Sequence, residues 1–192
     1  MGKIILASSS PRRRDLLNKA NLKFEIIPSP YIEDHTTTVF SYEFIEGLAA
    51  NKALAVVPLV TESSIIIGAD TVVVDDNIIL GKPKDRKDAF NTLKRLSGKT
   101  HIVVTGMAAV NSKTHELKTI SSTSHVTFEK LTDEQIYYYL DKFKPYDKAG
   151  SYGIQELDKS FIKEIKGEFD NIVGLPTKML INMLEEINYK DI

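Results

Sequence analysis

The stretch KIILASSSPRRRDLL at residues 3–17 decides the fold of this chain. Residues 3–7 are apolar and typical of a buried strand, and Ser10 with Pro11 supplies the N-cap and first-turn chemistry that begins a helix. A helix N-terminus directs free backbone N–H groups and the positive end of its dipole at one point, which favours an anion. The sequence therefore predicts a strand–loop–helix unit with an anion site at the junction.

The first turn of this helix carries three consecutive arginines, Arg12, Arg13 and Arg14. The helix dipole disfavours each cation there by roughly 0.3 kcal/mol or more. A phosphate chain lying against the turn explains the cluster, because guanidinium groups match phosphate oxygens. A solvated basic turn explains it equally well, so local physics leaves both interpretations open.

Turn and cap signals divide the rest of the chain into helical and β segments, which indicates a mixed α/β fold. The predicted elements are a helix from Ser41 to about residue 57, strands at 65–67 and 71–74, a helix from Asp85 that stops at Gly98, strands at 102–110 and 117–128, a helix with a Thr132–Gln135 capping box, and a last helix at 177–186. Nothing separates domains cleanly, so we expect one domain over residues 1–192.

Composition excludes several classes of protein. The 192 residues are 42% hydrophobic and 27% charged, as in ordinary globular proteins. The formal net charge is −1, whereas a nucleic-acid-binding domain typically carries a clear excess of basic residues. Zero cysteines exclude disulfides, thiolate metal sites and a cysteine nucleophile. Neither a membrane-spanning apolar stretch nor a signal peptide is evident, so we expect a cytoplasmic protein that binds no membrane.

Charged residues in apolar surroundings mark candidate chemistry. Asp70 interrupts the apolar run IIIGADTVVV at 65–74, where it is either a functional carboxylate or a strand-end turn residue. Lys52 falls in the apolar stripe of its helix, either as a buried ion pair or reaching a cleft. Lys82 adds a further cation and Glu33 a second carboxylate. Two carboxylates facing a phosphate site could hold Mg²⁺ or Mn²⁺, although the sequence alone does not bring them together.

Taken in order, these segments resemble the Maf family of nucleoside triphosphate pyrophosphatases. The matching motifs are LASSSPRRRDLL at 6–17, Lys52, GADTVV at 68–73, GKP at 81–83, DKAGSYGIQ at 147–155 and NIVGLP at 171–176. They span almost the whole chain. The resemblance implies an α/β fold similar to the inosine triphosphate pyrophosphatases (the Maf/Ham1 architecture), a twisted mixed sheet with flanking helices and two lobes around a central cleft, often as a homodimer.

The implied reaction is hydrolysis between the α- and β-phosphates to a monophosphate and pyrophosphate, with a divalent cation required. The resemblance places Asp70 as general base, Glu33 as a metal-associated carboxylate and Lys82 with them in the catalytic set. Asp70 and Glu33 would hold the metal. Substrate-binding positions fall on Ser8, Arg12, Arg13, Lys52, Thr71 and Gln155.

Thr71 after Asp70 is similar to the branch that acts on dTTP and UTP, which predicts pyrimidine triphosphates, including modified ones, and removal of non-standard nucleotides. The alternatives are the same chemistry on 7-methyl-GTP, or a nucleotide-binding regulator of septum formation without enzymatic activity. Two residues depart from the family pattern. Lys144 stands where Glu is usual, and Glu156 follows Gln155 where Gly is usual.

Overall fold

A mixed β-sheet forms the frame of the protein. The structure, a computed structural model, describes residues 3–33 and 37–187. Over that part of the chain the sheet has seven strands: β1 (Lys3–Leu6), β2 (Phe24–Ile26), β3 (Ser64–Asp75), β4 (Ile78–Leu80), β5 (Thr100–Asn111), β6 (Leu117–Phe128) and β7 (Ile162–Lys166). Their order is β2-β1-β3-β5-β6-β7, with β4 paired to β3. β1 is parallel to both of its neighbours, and the remaining pairs are antiparallel.

Helices pack on the sheet and confirm the α/β fold class. They are α1 (Pro11–Lys19), α2 (Tyr42–Leu54), α3 (Arg86–Leu96), α4 (Asp133–Phe143), α5 (Phe169–Val173) and α6 (Thr177–Glu186), with short 3-10 turns at Val57–Leu59, Ala149–Ser151 and Ile154–Glu156. The predicted helix after Ser41 is therefore shorter than expected, because a 3-10 turn follows its end at Leu54. Within the described ranges, no helix is long and apolar enough to cross a membrane.

Strand β3 runs through the centre of the molecule as one element of 12 residues. The two separate strands expected at 65–67 and 71–74 are continuous, because Gly68 and Asp70 stay in register with Ala108 and Gly106 of β5. Asp70 therefore lies in the middle of a buried strand, and the alternative of a strand-end turn is wrong.

Helix α2 lies directly against this part of the sheet. A Cβ atom on Gly68 would stand 2.1 Å from the carbonyl oxygen of Ala49, and one on Gly106 would stand 2.7 Å from that of Ile45. Only glycine allows backbones to approach this closely. The contact lets Lys52, one turn beyond Ala49 and two turns beyond Ile45 along α2, reach the centre of β3.

Helix starts follow the predicted caps with one exception. Ser41, Asp85 and Thr132 each accept a hydrogen bond from a backbone N–H three residues later. Ser10 occupies the N-cap of α1, but its side chain makes no capping hydrogen bond. Its backbone N–H instead donates to Oγ of Ser8, at 3.2 Å. The N–H groups of Arg12 and Arg13, the first two of α1, therefore receive no acceptor from the side chain of the cap residue.

Candidate active site

A cavity of about 1050 Å³ opens where α1, α2 and β3 meet the segment 147–156. The structure places all nine site residues predicted from the sequence along it: Ser8, Arg12, Arg13, Glu33, Lys52, Asp70, Thr71, Lys82 and Gln155. These residues come from distant parts of the chain, so the fold assembles them into one site.

Charges of both signs line the cavity. Among the described residues, six cationic side chains face five carboxylates, which leaves an excess of one positive charge. The cations are Arg12, Arg13, Lys52, Lys82, Lys84 and Lys148, and the carboxylates are Glu33, Asp70, Asp88, Asp147 and Glu156. The summed charge of the walls is small, so attraction of a polyanion to this cavity would depend on individual cations rather than on the overall charge.

Lys52 joins the two carboxylates predicted for catalysis. Its Nζ lies 2.5 Å from Oδ1 of Asp70 and 2.7 Å from Oε1 of Glu33. Lys52 and Asp70 are each only 8% exposed, so neither charge is tolerated there without the other. Both interpretations of Lys52 therefore hold together, since it forms a buried ion pair and also lines the cavity.

The same two carboxylates suit a divalent cation. Their oxygens converge on a single atom, Nζ of Lys52, and carboxylate oxygen is the donor that Mg²⁺ and Mn²⁺ prefer. Within residues 3–33 and 37–187, no group of three His, Cys, Asp or Glu side chains could hold a metal ion. Asp70 and Glu33 supply two carboxylates, so a metal ion held by them would need further ligands, such as substrate phosphates.

Arg13 is fixed in place before any ligand arrives. Its Nε donates to the carbonyl oxygen of Gly174 at 2.9 Å, one terminal nitrogen donates to Oγ1 of Thr71 at 3.2 Å, and the other to Oγ of Ser8 at 3.3 Å. Burial lowers the pKa of Arg13, while the charge of Asp70 opposes that shift. A guanidinium nevertheless stays protonated in proteins, so the site holds a permanent, oriented cation.

The three arginines divide between the two interpretations of the cluster. Arg12 lines the cavity, and its guanidinium lies 3.6 Å from Oδ2 of Asp147. Arg14 is exposed, and its Nε donates to the adjacent Asp15 at 3.3 Å. Arg12 and Arg13 are thus available to an anion in the cavity, whereas Arg14 belongs to the solvated surface.

Thr71 and Asp70 project from opposite faces of β3, as adjacent strand residues must. Oγ1 of Thr71 lies 2.9 Å from Oγ1 of Thr105 and 3.4 Å from the carbonyl oxygen of Gly174, besides its bond with Arg13. Thr71 therefore supports Arg13 and the 171–176 segment.

Sequence reasoning missed part of this support. The NIVGLP motif is visible at 171–176, but the sequence does not show that the carbonyl oxygen of Gly174 accepts a hydrogen bond from Arg13. Gly174 has φ 125, a conformation that favours glycine, and a Cβ there would approach Oγ1 of Thr71 to 3.3 Å. In the sequence, the motif is the only sign of this contact, and nothing there identifies Arg13 as the residue it meets.

The GKP motif at 81–83 and the DKAGSYGIQ motif at 147–155 form another wall of the cavity. The N–H of Gly150 donates to the carbonyl oxygen of Gly81 at 3.1 Å and joins the two motifs. Lys82 and Gln155 both line the cavity with exposed side chains. Lys144 is exposed at the end of α4 in a left-handed conformation, φ 48.

A further group in this wall was not predicted. Tyr139 of α4 donates its hydroxyl hydrogen to Oε2 of Glu156 at 2.7 Å and accepts from the N–H of Gly153 at 2.9 Å. Nζ of Lys148 lies 3.1 Å from the other carboxylate oxygen of Glu156. The unusual residue after Gln155 is thus held from two sides.

Known proteins resemble this chain over nearly its whole length. A protein of Ruminiclostridium cellulolyticum named dTTP/UTP pyrophosphatase is 46% identical over 99% of this chain and 98% of its own. One from Thermoanaerobacter sp. with the same name is 42% identical over 95% of both chains. Among solved structures, a HAM1 protein from Coxiella burnetii aligns with a TM-score of 0.47 at 15% identity, over 68% of this chain and 75% of that one.

The family profile described as Maf-like protein matches residues 3–187. This match covers every segment that lines the cavity, from the strand–helix junction at Ser8 to Gly174. The chain therefore belongs to the Maf family.

Proposed function

We propose that this chain hydrolyses nucleoside triphosphates between the α- and β-phosphates, with dTTP and UTP as preferred substrates, and releases the monophosphate and pyrophosphate. The observation that carries the proposal is the cluster of Lys52, Asp70 and Glu33 facing the anchored Arg13 in one cavity. The name dTTP/UTP pyrophosphatase, borne by relatives 42–46% identical over nearly their whole length, supports the choice of substrate.

Phosphate binding falls to the strand–helix junction. The first N–H groups of α1, the hydroxyl of Ser8 and the cations Arg12, Arg13 and Lys82 surround the space where the phosphate chain would lie. Negative charge grows on the departing pyrophosphate, so cations already in place lower the barrier. Arg13 contributes without rearrangement, because Gly174 and Thr71 hold its guanidinium.

Asp70 activates the water. In this mechanism Lys52 binds Oδ1 and orients the carboxylate, while Oδ2 accepts the proton of the water that attacks in line. Glu33 shares Lys52 and holds it from the other side. The proton leaves water, the new P–O bond forms, and the electron pair of the broken anhydride bond leaves with pyrophosphate.

A divalent metal, Mg²⁺ or Mn²⁺, is part of the proposal, with Asp70 and Glu33 as its protein ligands. When bound, such an ion neutralises phosphate charge that the cavity's excess of one positive charge does not match.

The cellular task that fits this reaction is removal of non-standard nucleotides, including modified pyrimidines, from the free pool in the cytoplasm. A net charge of −1 supports a free nucleotide rather than nucleic acid as the partner. The homodimer suggested by the family resemblance stays a prediction, which sedimentation analysis tests.

The experiment is pyrophosphate release from dTTP, UTP, CTP, purine triphosphates and 7-methyl-GTP, with and without Mg²⁺ or Mn²⁺. The expected result is metal-dependent release, fastest on dTTP and UTP. Strongest activity on 7-methyl-GTP would reassign the base preference, and release of single phosphate would contradict the choice of bond. Binding without any turnover would favour a regulatory protein that uses nucleotide as a ligand.

A further inference from the structure

Tyr139 anchors one wall of the cavity to the core. The residue is 1% exposed, and its ring packs against Phe143 and Phe161 with centroids 5.1 and 5.4 Å away. Its hydroxyl is the one polar end of this apolar side chain, and it binds both Glu156 and the N–H of Gly153. A tyrosine held this way is a rigid support for whatever its hydroxyl touches.

Glu156 extends this support to the charges of the wall. Lys148, only 12% exposed at its side chain, has its ammonium 3.1 Å from Glu156 and 3.0 Å from Asp147. Asp147 in turn lies 3.6 Å from the guanidinium of Arg12. Alternating charges thus connect Tyr139, at the core, with the first turn of α1, where phosphate binding is proposed.

Gly153, Glu156 and Lys148 are tightly packed against one another. A Cβ on Gly153 would stand 3.0 Å from both Cδ of Glu156 and Cε of Lys148. Gln155 lies between the buried Ile154 and Glu156, which Tyr139 and Lys148 hold. The side chain of Gln155 is exposed in the cavity. Because both neighbours are held, the backbone at Gln155, and with it the direction of its Cα–Cβ bond, is set before a nucleotide binds.

We propose that Glu156 is a positioning residue for substrate recognition: together with Tyr139 it fixes the wall 147–156, and thereby aims Gln155 and Lys148 at the base and phosphates of a bound nucleotide. The proposal rests on the proposed function. It assigns to Glu156, at a position where the family usually has Gly, the task of holding the recognition segment by its side chain.

Two variants separate the two contacts of Glu156. Glu156→Gln keeps an oxygen that accepts from Tyr139 but removes the charge that holds Lys148. Tyr139→Phe keeps that charge and removes the hydrogen bonds to Glu156 and Gly153. Glu164→Gln on β7 is the matched control, since Glu164 is about half exposed and pairs only with Lys166 in the described part of the chain.

Steady-state kinetics with dTTP and CTP is the readout. For Glu156→Gln and Tyr139→Phe, we expect KM for dTTP to rise roughly tenfold while kcat stays within about twofold, because binding is impaired but the Lys52–Asp70 cluster is untouched. The preference for dTTP over CTP, as a ratio of kcat/KM, should fall in both. Glu164→Gln should match the wild type.

A double-mutant cycle with Lys148→Met decides whether the contact acts as a unit. The combined change in KM of Glu156→Gln and Lys148→Met should be smaller than the product of the single changes, because either one breaks the same contact. Unchanged KM in Glu156→Gln, independent effects in the cycle, or a loss of Tm and kcat without any change in KM would each overturn the proposal.

Failure of the proposed function is distinguishable from failure of this inference. If the wild type hydrolyses no triphosphate, the same variants are titrated with a non-hydrolysable dTTP analogue. Weaker binding in Glu156→Gln but not in Glu164→Gln would still support the positioning residue, whereas equal binding would overturn it.

Discussion

Nζ of Lys52 lies 2.5 Å from Oδ1 of Asp70, and each of the two residues is only 8% exposed to solvent. Glu33 shares the same ammonium at 2.7 Å. One cation between two carboxylates leaves a net charge of −1 in the cluster. Such a site attracts a divalent cation more strongly than a neutral ion pair does, and it holds Asp70 in one orientation.

Asp70→Asn should abolish turnover without abolishing binding. The amide retains the shape of Asp70 but no longer accepts the proton of water, so we expect kcat to fall by roughly 10²–10⁴. Nucleotide affinity, measured by calorimetry without added divalent metal, should stay near that of the wild type, because the phosphate-facing cations remain. Asp141→Asn, in an exposed ion pair with Arg86, is the control and should be fully active. Equal turnover in Asp70→Asn would remove Asp70 from both proposed roles.

Arg13 and Arg14 offer a direct comparison of adjacent cations. Arg13→Ala removes the guanidinium held by Gly174 and Thr71, so KM should rise and kcat should fall, together by roughly 10²-fold or more in kcat/KM. Arg14→Ala removes an exposed side chain whose partner is Asp15, and its kinetics should stay within about twofold of the wild type. Identical kinetics for the two variants would contradict an anion site at the start of α1.

Local chemistry was sufficient to predict helix starts and candidate residues. Ser41, Asp85 and Thr132 begin helices because capping depends on a backbone N–H only three residues away. Lys52 stands out because a cation in an apolar helical stripe needs a partner. The residues that form each of these patterns lie within a few positions of one another in the chain, so the patterns can be recognised without knowledge of the fold.

Long-range contacts are what the sequence does not show. Arg13 binds the carbonyl of Gly174 across a separation of 161 residues. Gly68 looks like a break between two strands, yet it pairs with Ala108 and lies under α2. Each of these features depends on which segments the fold brings together, and no local pattern encodes that.

Gly68→Ala tests the close approach of α2 to the sheet. The added Cβ would stand 2.1 Å from the Ala49 carbonyl oxygen, so α2 must shift, and Lys52 with it. We expect the free energy of unfolding to fall by about 1–3 kcal/mol or more, with a matching loss of activity. Urea denaturation measures the first and pyrophosphate release the second.

Gly47→Ala, in α2 itself, is the opposite case. Nothing lies within 4 Å of the position of its Cβ, so α2 should gain roughly 0.5–1 kcal/mol from the better helix former. Similar effects of Gly47→Ala and Gly68→Ala on stability would contradict the backbone contact between α2 and β3.

The buried His101 should make the free energy of unfolding depend on pH. The residue is 2% exposed, and its Nε2 is hydrogen-bonded to the hydroxyl of Tyr152 at 2.8 Å. Burial lowers the pKa of His101 to about 4, from 6.5 in a free side chain, while the charge of Asp75 opposes the shift. The unfolded chain therefore binds the proton first. The stability contributed by neutral His101 is complete above pH 6.5 and is lost as the pH falls toward 4.

The measurement is the free energy of unfolding by urea at pH 8 and pH 5. Wild-type protein should lose about 2 kcal/mol from His101 over this interval, and His101→Gln should lack that loss. His125→Gln, at an exposed position, should behave as the wild type. His101→Gln carries the same carboxyl groups as the wild type, so their contribution cancels in the comparison of the two proteins. The same pH dependence in His101→Gln and wild type would therefore exclude His101 as its source.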